Sequence, residues 1–183
     1  LAFLQAQIKP HFLYNTLNTI STFCMKDPRQ ARDLIGDFAT YLRHSFDFHD
    51  FGEAISLEAE LELVQAYLNI EQARFGRRLH IQYLIDASME DMLIPQLTIQ
   101  PLAENAVRHG VMRKSEGGTI VIEVRREEDH CRISVRDDGV GMREEQIAAI
   151  LSEGPAANGE RKGIGLKNIH HRLVQRYGSG LQL

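Results

Sequence analysis

Residues 4–25 place apolar and polar side chains at the spacing of a helix turning about 100° per residue. His11, Asn15, Asn18 and Thr22 share one stripe, and Leu13, Leu17, Ile20 and Cys24 fall opposite. Pro10 lies inside this predicted helix, where it removes a backbone bond and bends the axis just before His11. Asp27 followed by Pro28 reads as an N-cap with proline at the first helical position, and Ala31, Leu34, Ile35, Phe38, Leu42 and Phe46 supply the stripe of a second helix. Residues 47–55 are expected to connect, after which Ser56 caps a third helix with Glu58 in its first turn. Leu57, Leu61, Val64 and Leu68 form one apolar row of this helix, and Leu63, Tyr67 and Ile70 form a second. A helix apolar on two sides needs more than one neighbour, which suits a bundle and a dimer whose partner chain completes the core.

At Gly76 the period changes. Leu79, Ile81, Tyr83 and Ile85 alternate as a strand, residues 95–109 read as a helix, and Ile120, Ile122 and Val124 alternate again before a turn at 127–129. Cys131, Ile133 and Val135 point inward on the next strand, and the following position on that side is Asp137. A carboxylate aimed where apolar residues were going needs a donor waiting for it. Ile99, Ala103, Ala106 and Val107 cover the sheet-facing side of the 95–109 helix, while Asn105 and His109 share the other. A last helix opens at Gly163-Ile164-Gly165-Leu166, with Leu166, Ile169, Leu173, Val174 and Tyr177 as its core stripe. The aperiodic stretch 152–162 before it reads as a mobile lid. The pattern as a whole predicts an α+β chain, helical over 1–76 and mixed α/β over 77–183.

Composition changes this picture little: 183 residues, 43% hydrophobic and 25% charged, allow one large or two small domains with a real core. Residues 1–76 carry 6 Lys/Arg against 10 Asp/Glu and residues 77–183 carry 15 of each, so the net charge of −4 lies in the first part and leaves no basic footprint for nucleic acid. No apolar run reaches the length needed to span a bilayer, and no signal peptide opens the chain. Because it opens at Leu1 in mid-helix pattern, the chain is expected to be the cytoplasmic part of a longer, membrane-anchored protein. Cys24 and Cys131 sit in apolar rows, which predicts reduced core residues.

Three stretches carry chemistry. Imidazole is largely uncharged near neutral pH, so His11 on a polar stripe can accept a group as well as a proton. Asn105 offers an amide oxygen suited to Mg²⁺, a hard cation bound through oxygens and phosphates. Asp137-Asp138-Gly139-Val140-Gly141 lets a backbone turn sharply and a ligand approach closely, and glycines at a helix N-terminus, as at Gly163 and Gly165, present N–H groups to phosphate.

Together, Glu104-Asn105-Ala106-Val107-Arg108-His109-Gly110, Asp137-Asp138-Gly139-Val140-Gly141 and Gly163-Ile164-Gly165-Leu166-Lys167-Asn168 resemble the ATP-binding boxes of the gyrase, histidine kinase and MutL superfamily. The run Pro10-His11-Phe12-Leu13-Tyr14-Asn15-Thr16-Leu17-Asn18 resembles the phosphoacceptor segment of LytS-type sensor histidine kinases, whose asparagine box is close to Gln100-Pro101-Leu102-Ala103-Glu104-Asn105. The resemblance covers nearly the whole chain. It implies a helical dimerisation and phosphoacceptor segment followed by an α/β sandwich, the Bergerat fold, that binds ATP and Mg²⁺. Within it Asp137 would accept from the adenine amino group, Asn105 would meet the metal, and His109 would lie near the phosphates. Gly139 and Gly141 would shape the pocket, with Gly163, Gly165 and Leu166 at the lid hinge. The γ-phosphoryl group would pass to His11, beside Asn15, and then to an aspartate of a response regulator.

The sequence departs from the patterns it resembles at two places. Phe12 stands where many histidine kinases of other families have an acidic residue after the acceptor, which leaves the proton acceptor of His11 unassigned. Pro101 stands where gyrase- and MutL-like ATPases carry a glutamate, which argues against water-directed hydrolysis. Glu104, about 100° round the helix from Asn105, is given a supporting role. Two other readings stay open: an ATPase of the same fold driving conformational change in a partner, and a nucleotide-sensing dimerisation module.

Overall fold

The structure is a computed structural model that describes residues 10–47, 54–128 and 130–151, with residues 170, 173, 174, 177 and 178. Two helices form an antiparallel start, α1 (Pro10–Lys26) and α2 (Pro28–Asp47), separated by Asp27 alone. Asp27 caps α2 as the sequence predicts, its Oδ1 accepting from the backbone N–H of Arg29 at 3.1 Å and of Gln30 at 3.2 Å. A short strand β1 (Ala54–Ser56) then runs directly into α3 (Leu57–Phe75), where the Ser56 side chain accepts from the Ala59 N–H at 3.2 Å.

The helix α3 is the spine of the molecule. Both of its apolar rows are buried, Leu57, Leu61, Val64 and Leu68 on one side and Leu63, Tyr67 and Ile70 on the other. The sequence pattern calls for more than one neighbour, and within the chain α1, α2, residues 100–105 and the strand at 79–85 pack against this helix.

The mixed part follows as β2 (Leu79–Ile85), β3 (Leu93–Pro95), α4 (Gln100–Asn105), β4 (Gly118–Glu127), β5 (His130–Asp137) and α5 (Glu144–Leu151). The three-stranded sheet has the order β2-β4-β5, with β4 parallel to β2 and antiparallel to β5. Ile120, Ile122 and Val124 of the central strand are fully buried, and Ile99, Ala103, Ala106 and Val107 pack into the same core from the α4 side. A parallel β2–β4 pair requires a crossover, and α4 with its extensions is that crossover. The apolar positions read from the sequence on β2, β4 and β5 are buried or partly buried, while Glu123 on the other face of β4 is buried as well.

Several expectations need correction. The helix expected over 95–109 begins only at Gln100, because Leu93–Pro95 pairs as a strand with Ala54–Ser56 and Leu97 takes a left-handed φ of 57°. Ala54 and Ile55, expected to connect, are accordingly strand, and Ser56 ends that strand as the cap of α3. On α1 the buried row is Phe12, Thr16 and Ile20, whereas Leu17 and Cys24 are exposed, so Cys24 is not a core residue. The phase of the buried stripe is set by Phe12, whose ring lies 4.6 Å from that of Tyr41 and 5.3 Å from that of Tyr67. On α2 Ile35 and Phe46 are exposed, and Tyr41 takes their place in the core. Pro10 is the first helical residue described, so the bend before His11 falls at the limit of the described residues. The predicted lid, the last Gly-x-Gly and the chain end lie outside them, while Leu173 of the last predicted stripe is buried and Val174 and Tyr177 are exposed. No helix among the described residues is long and apolar enough to cross a membrane.

Candidate phosphoacceptor and nucleotide site

The helix α4 is held from behind. Glu60 of α3 is fully buried, and its carboxylate accepts three backbone N–H groups: Leu97 at 2.8 Å, Ile99 at 2.8 Å and Gln100 at 3.1 Å. These are the orphan donors of a helix start, and a carboxylate there also complements the positive end of the helix. After Asn105 the chain widens into one π-helical turn, Ala106–Gly110, and then tightens into a 3₁₀ turn, Val111–Arg113. π-Turns inside helices recur at functional sites because they re-aim side chains. Here the turn carries Arg108 and His109 outward while Ala106 and Val107 stay in the core. Asn105 is half-buried at its start.

Gly110, at the end of the turn, meets the Asp-x-Gly-x-Gly segment. A Cβ on Gly110 would stand 2.2 Å from Asp137 Oδ1, and a Cβ on Gly139 would stand 2.2 Å from the Gly110 carbonyl carbon. Both glycines are required by this close approach. Asp137 Oδ1 accepts the Gly139 N–H at 2.9 Å, and Gly141 has φ 70°. The sequence pattern puts Asp137 on the inward side of β5, facing a waiting donor. It does lie on the side of Cys131, Ile133 and Val135, but at the strand end, where it is exposed. The neighbouring aspartate is used differently. Asp138 Oδ1 accepts the Thr119 N–H at 2.7 Å, and its carbonyl accepts from Lys114 Nζ at 2.8 Å. One aspartate ties the loop to β4, and the other stands at the glycine cradle.

The polar stripe expected to hold the phosphoacceptor lies on α1. His11 is exposed, and the Asn15 amide nitrogen lies 3.0 Å from its Nδ1 and 3.2 Å from its Nε2. Beside them is a cavity of about 180 Å³, lined by His11, Tyr67, Glu71, Arg74, Glu104 and Arg108 among others. Arg74 bonds Glu71 at 3.4 Å. Burial raises the Glu71 carboxyl above the ordinary glutamate range, opposed first by Arg74 and then by Arg108. Burial also pushes the Tyr41 and Tyr67 hydroxyls up, helped by the charge of Glu104 at Tyr41 and of Glu71 at Tyr67. Both tyrosines therefore stay neutral.

Of the residues singled out by sequence, His11 and Asn15 come together on α1, and Asp137 and Gly139 come together with Gly110. Asn105 and His109 lie on the crossover, and Gly141 lies just beyond the cradle. Gly163, Gly165 and Leu166 lie outside the described residues. Sequence reasoning missed Glu60, Glu71, Arg74 and Arg108. A single charged residue on an otherwise apolar helical face is the signal that could have found Glu60 and Glu71.

Residues 1–79 match the family described as histidine kinase, and residues 90–183 match the histidine kinase-, DNA gyrase B-, and HSP90-like ATPase family. The chain belongs to the histidine kinases, with an ATPase domain of the kind they share with DNA gyrase B and HSP90. Its relatives include the uncharacterized protein YwpD of Bacillus subtilis (strain 168), 42% identical over 184 residues, covering 100% of this chain and 64% of that protein. Sensor histidine kinase YpdA of Escherichia coli (strain K12) is 40% identical, covering 98% of this chain and 31% of its own length. Sensor protein LytS of Staphylococcus haemolyticus (strain JCSC1435) is 35% identical, covering 96% and 30%. The chain thus spans less than two thirds of each of these relatives.

Proposed function

We propose that this chain is the catalytic core of a two-component sensor kinase that transfers the γ-phosphoryl group of ATP to His11 and from there to an aspartate of a response regulator receiver domain. The observation that carries this reading is the cavity beside His11. It is also lined by Glu104 and Arg108, which flank the stretch of α4 and its π-turn that begins with Asn105. The acceptor and the nucleotide boxes therefore serve one reaction centre.

The residues at the cradle fit a nucleotide. Asp137 presents an exposed acceptor to an exocyclic amino group, and Gly110 and Gly139 leave out the Cβ atoms that would block the approach. Asn105 would supply an oxygen for Mg²⁺ and His109 would lie near the phosphates, with Gly139 and Gly141 shaping the loop. Gly163, Gly165 and Leu166 complete the proposed nucleotide-binding set. When bound, Mg²⁺ neutralises developing charge on the phosphates. Asn15, within hydrogen-bond reach of the His11 ring, positions water for dephosphorylation.

The division of labour falls near residue 76, with 1–76 acting in phosphotransfer and dimerisation and 77–183 in catalysis. Tyr14, Leu17 and Ile35 are exposed apolar residues on α1 and α2 and support a homodimer through the helical part. The parent protein is membrane-anchored through segments outside this chain, with this part in the cytoplasm.

The test is incubation with γ-labelled ATP and Mg²⁺, followed by acid and base treatment. Label on the protein that is lost in acid and survives base supports the kinase reading. Released phosphate with no labelled protein supports an ATPase, and nucleotide binding with neither supports a sensing module.

A further inference from the structure

The family boxes leave one step without a residue: what fixes the His11 ring and takes up the charge that forms on it. Asn15 does not select the tautomer. Its amide nitrogen reaches both ring nitrogens, at 3.0 Å and 3.2 Å, and can donate to whichever one lacks a proton. Phe12, which follows the acceptor, is apolar and buried in the aromatic cluster. Among the described residues, the charged groups that share a cavity with His11 lie across it, on α3 and α4 and its π-turn.

Two carboxylates line that cavity with His11, namely Glu71 and Glu104, together with the guanidinium groups of Arg74 and Arg108. Glu71 is committed elsewhere. Its side chain is 4% exposed and pairs with Arg74 at 3.4 Å, which holds it within α3, and burial disfavours its charged form. Glu104 is half-buried, and one of its oxygens accepts from Gln100 Nε2 at 2.8 Å, which holds the carboxylate against its own helix. It also precedes Asn105 directly, about 100° round the helix. A single short helix, anchored at its start by buried Glu60, therefore carries Glu104 into the cavity that His11 lines and, at the next position, the proposed Mg²⁺ residue Asn105.

We propose that Glu104 is the positioning residue of His11, which rests on the kinase reading above. Its carboxylate holds the proton of the ring nitrogen that does not attack, so the opposite nitrogen is left unprotonated toward the γ-phosphorus. In the transfer, the attacking nitrogen forms its bond to phosphorus as the bond from phosphorus to the bridging oxygen breaks, and that electron pair leaves on ADP. The ring becomes cationic, and the Glu104 charge offsets it. This is the part that an acidic neighbour in sequence would otherwise play, supplied here from the helix of the asparagine box.

Two measurements on this chain test the proposal. Nitrogen NMR of the His11 ring without ATP reports which nitrogen carries the proton. Wild-type protein is expected to show one dominant tautomer and Glu104→Ala a mixture. The labelling assay at saturating ATP is expected to show kcat lower by about a hundredfold in Glu104→Ala with KM for ATP within about twofold, the lower end for a group that handles a proton in the transition state. Glu104→Gln, which keeps the shape and removes the charge, should fall between the two and carries the same test if the alanine variant folds poorly. An unchanged ring spectrum, or a rate within about threefold of wild type, overturns the role of Glu104 while the kinase reading stands. Wild-type protein that takes no label overturns the kinase reading, and the ring spectrum still decides for or against Glu104.

Discussion

Replacing Glu60 by glutamine changes one oxygen for an NH₂ group at a fully buried site. In the better of its two orientations the amide oxygen stays with the Ile99 and Gln100 N–H groups, and the NH₂ faces the Leu97 N–H, donor against donor. One charge-assisted bond is lost, at about 1.5–3 kcal/mol, and two others weaken from charged to neutral. The Leu97 N–H also anchors a residue at φ 57°, a conformation that costs of order 1–3 kcal/mol unless its surroundings hold it. A total loss of about 3 kcal/mol is therefore expected, which for a chain of this size lowers Tm by about 6–12 °C. The assay is thermal unfolding followed by far-UV circular dichroism, with ATP affinity measured by calorimetry on the folded variant. Because Glu60 fixes the start of the helix that carries Asn105, nucleotide binding should weaken as well. A fall in Tm below about 2 °C with unchanged affinity would show that the three N–H groups do not depend on this carboxylate.

Asp137→Asn should keep the fold and weaken ATP binding by about 2 kcal/mol, roughly thirtyfold, since a donor replaces the acceptor offered to adenine; unchanged affinity by calorimetry removes that role. Asn15→Ala should leave labelling of His11 within a few-fold but slow kinase-stimulated loss of phosphate from a labelled regulator by about tenfold, an effect of positioning alone; equal decay rates refute it. Burial raises the Glu71 carboxyl, so the folded protein holds that proton more tightly than the unfolded chain. Stability contributed at this site is therefore present at low pH and falls as pH rises from the ordinary glutamate value through the raised one. In denaturant titrations across that window Glu71→Gln should lose part of this fall; an identical pH slope in both proteins would contradict it.

Much of this architecture is legible because it rests on local rules. Asp27-Pro28 and Ser56 mark helix starts through bonds made within three residues, and the strands alternate because one face of the sheet is buried. The two rows of α3 are visible for the same reason. What covers them is not, since intramolecular neighbours and a partner chain leave the same apolar pattern. The late start of α4 is a tertiary effect: Leu93–Pro95 gains strand pairing with Ala54–Ser56, and Glu60, far away in sequence, satisfies the N–H groups that the delayed start exposes. Periodicity also misplaced the buried face of α1, where packing of the Phe12 ring against Tyr41 and Tyr67 sets the rotation and leaves Leu17 outside. At the site, alternation identified Asp137, but only the geometry separates it from Asp138, whose carboxylate is bound to Thr119. The π-turn has no sequence signature, and so the groups around His11 came into view only with the cavity.

The central claim is that His11 receives the phosphoryl group. The most direct measurement compares label from γ-labelled ATP in wild-type protein, His11→Gln, and single variants of His44, His49, His80, His130, His170 and His171. His11→Gln is expected to bind ATP with wild-type affinity by calorimetry and to carry no acid-labile phosphate, while the other six variants are labelled as wild type. Acid-labile label persisting in His11→Gln would place the acceptor elsewhere and contradict that claim.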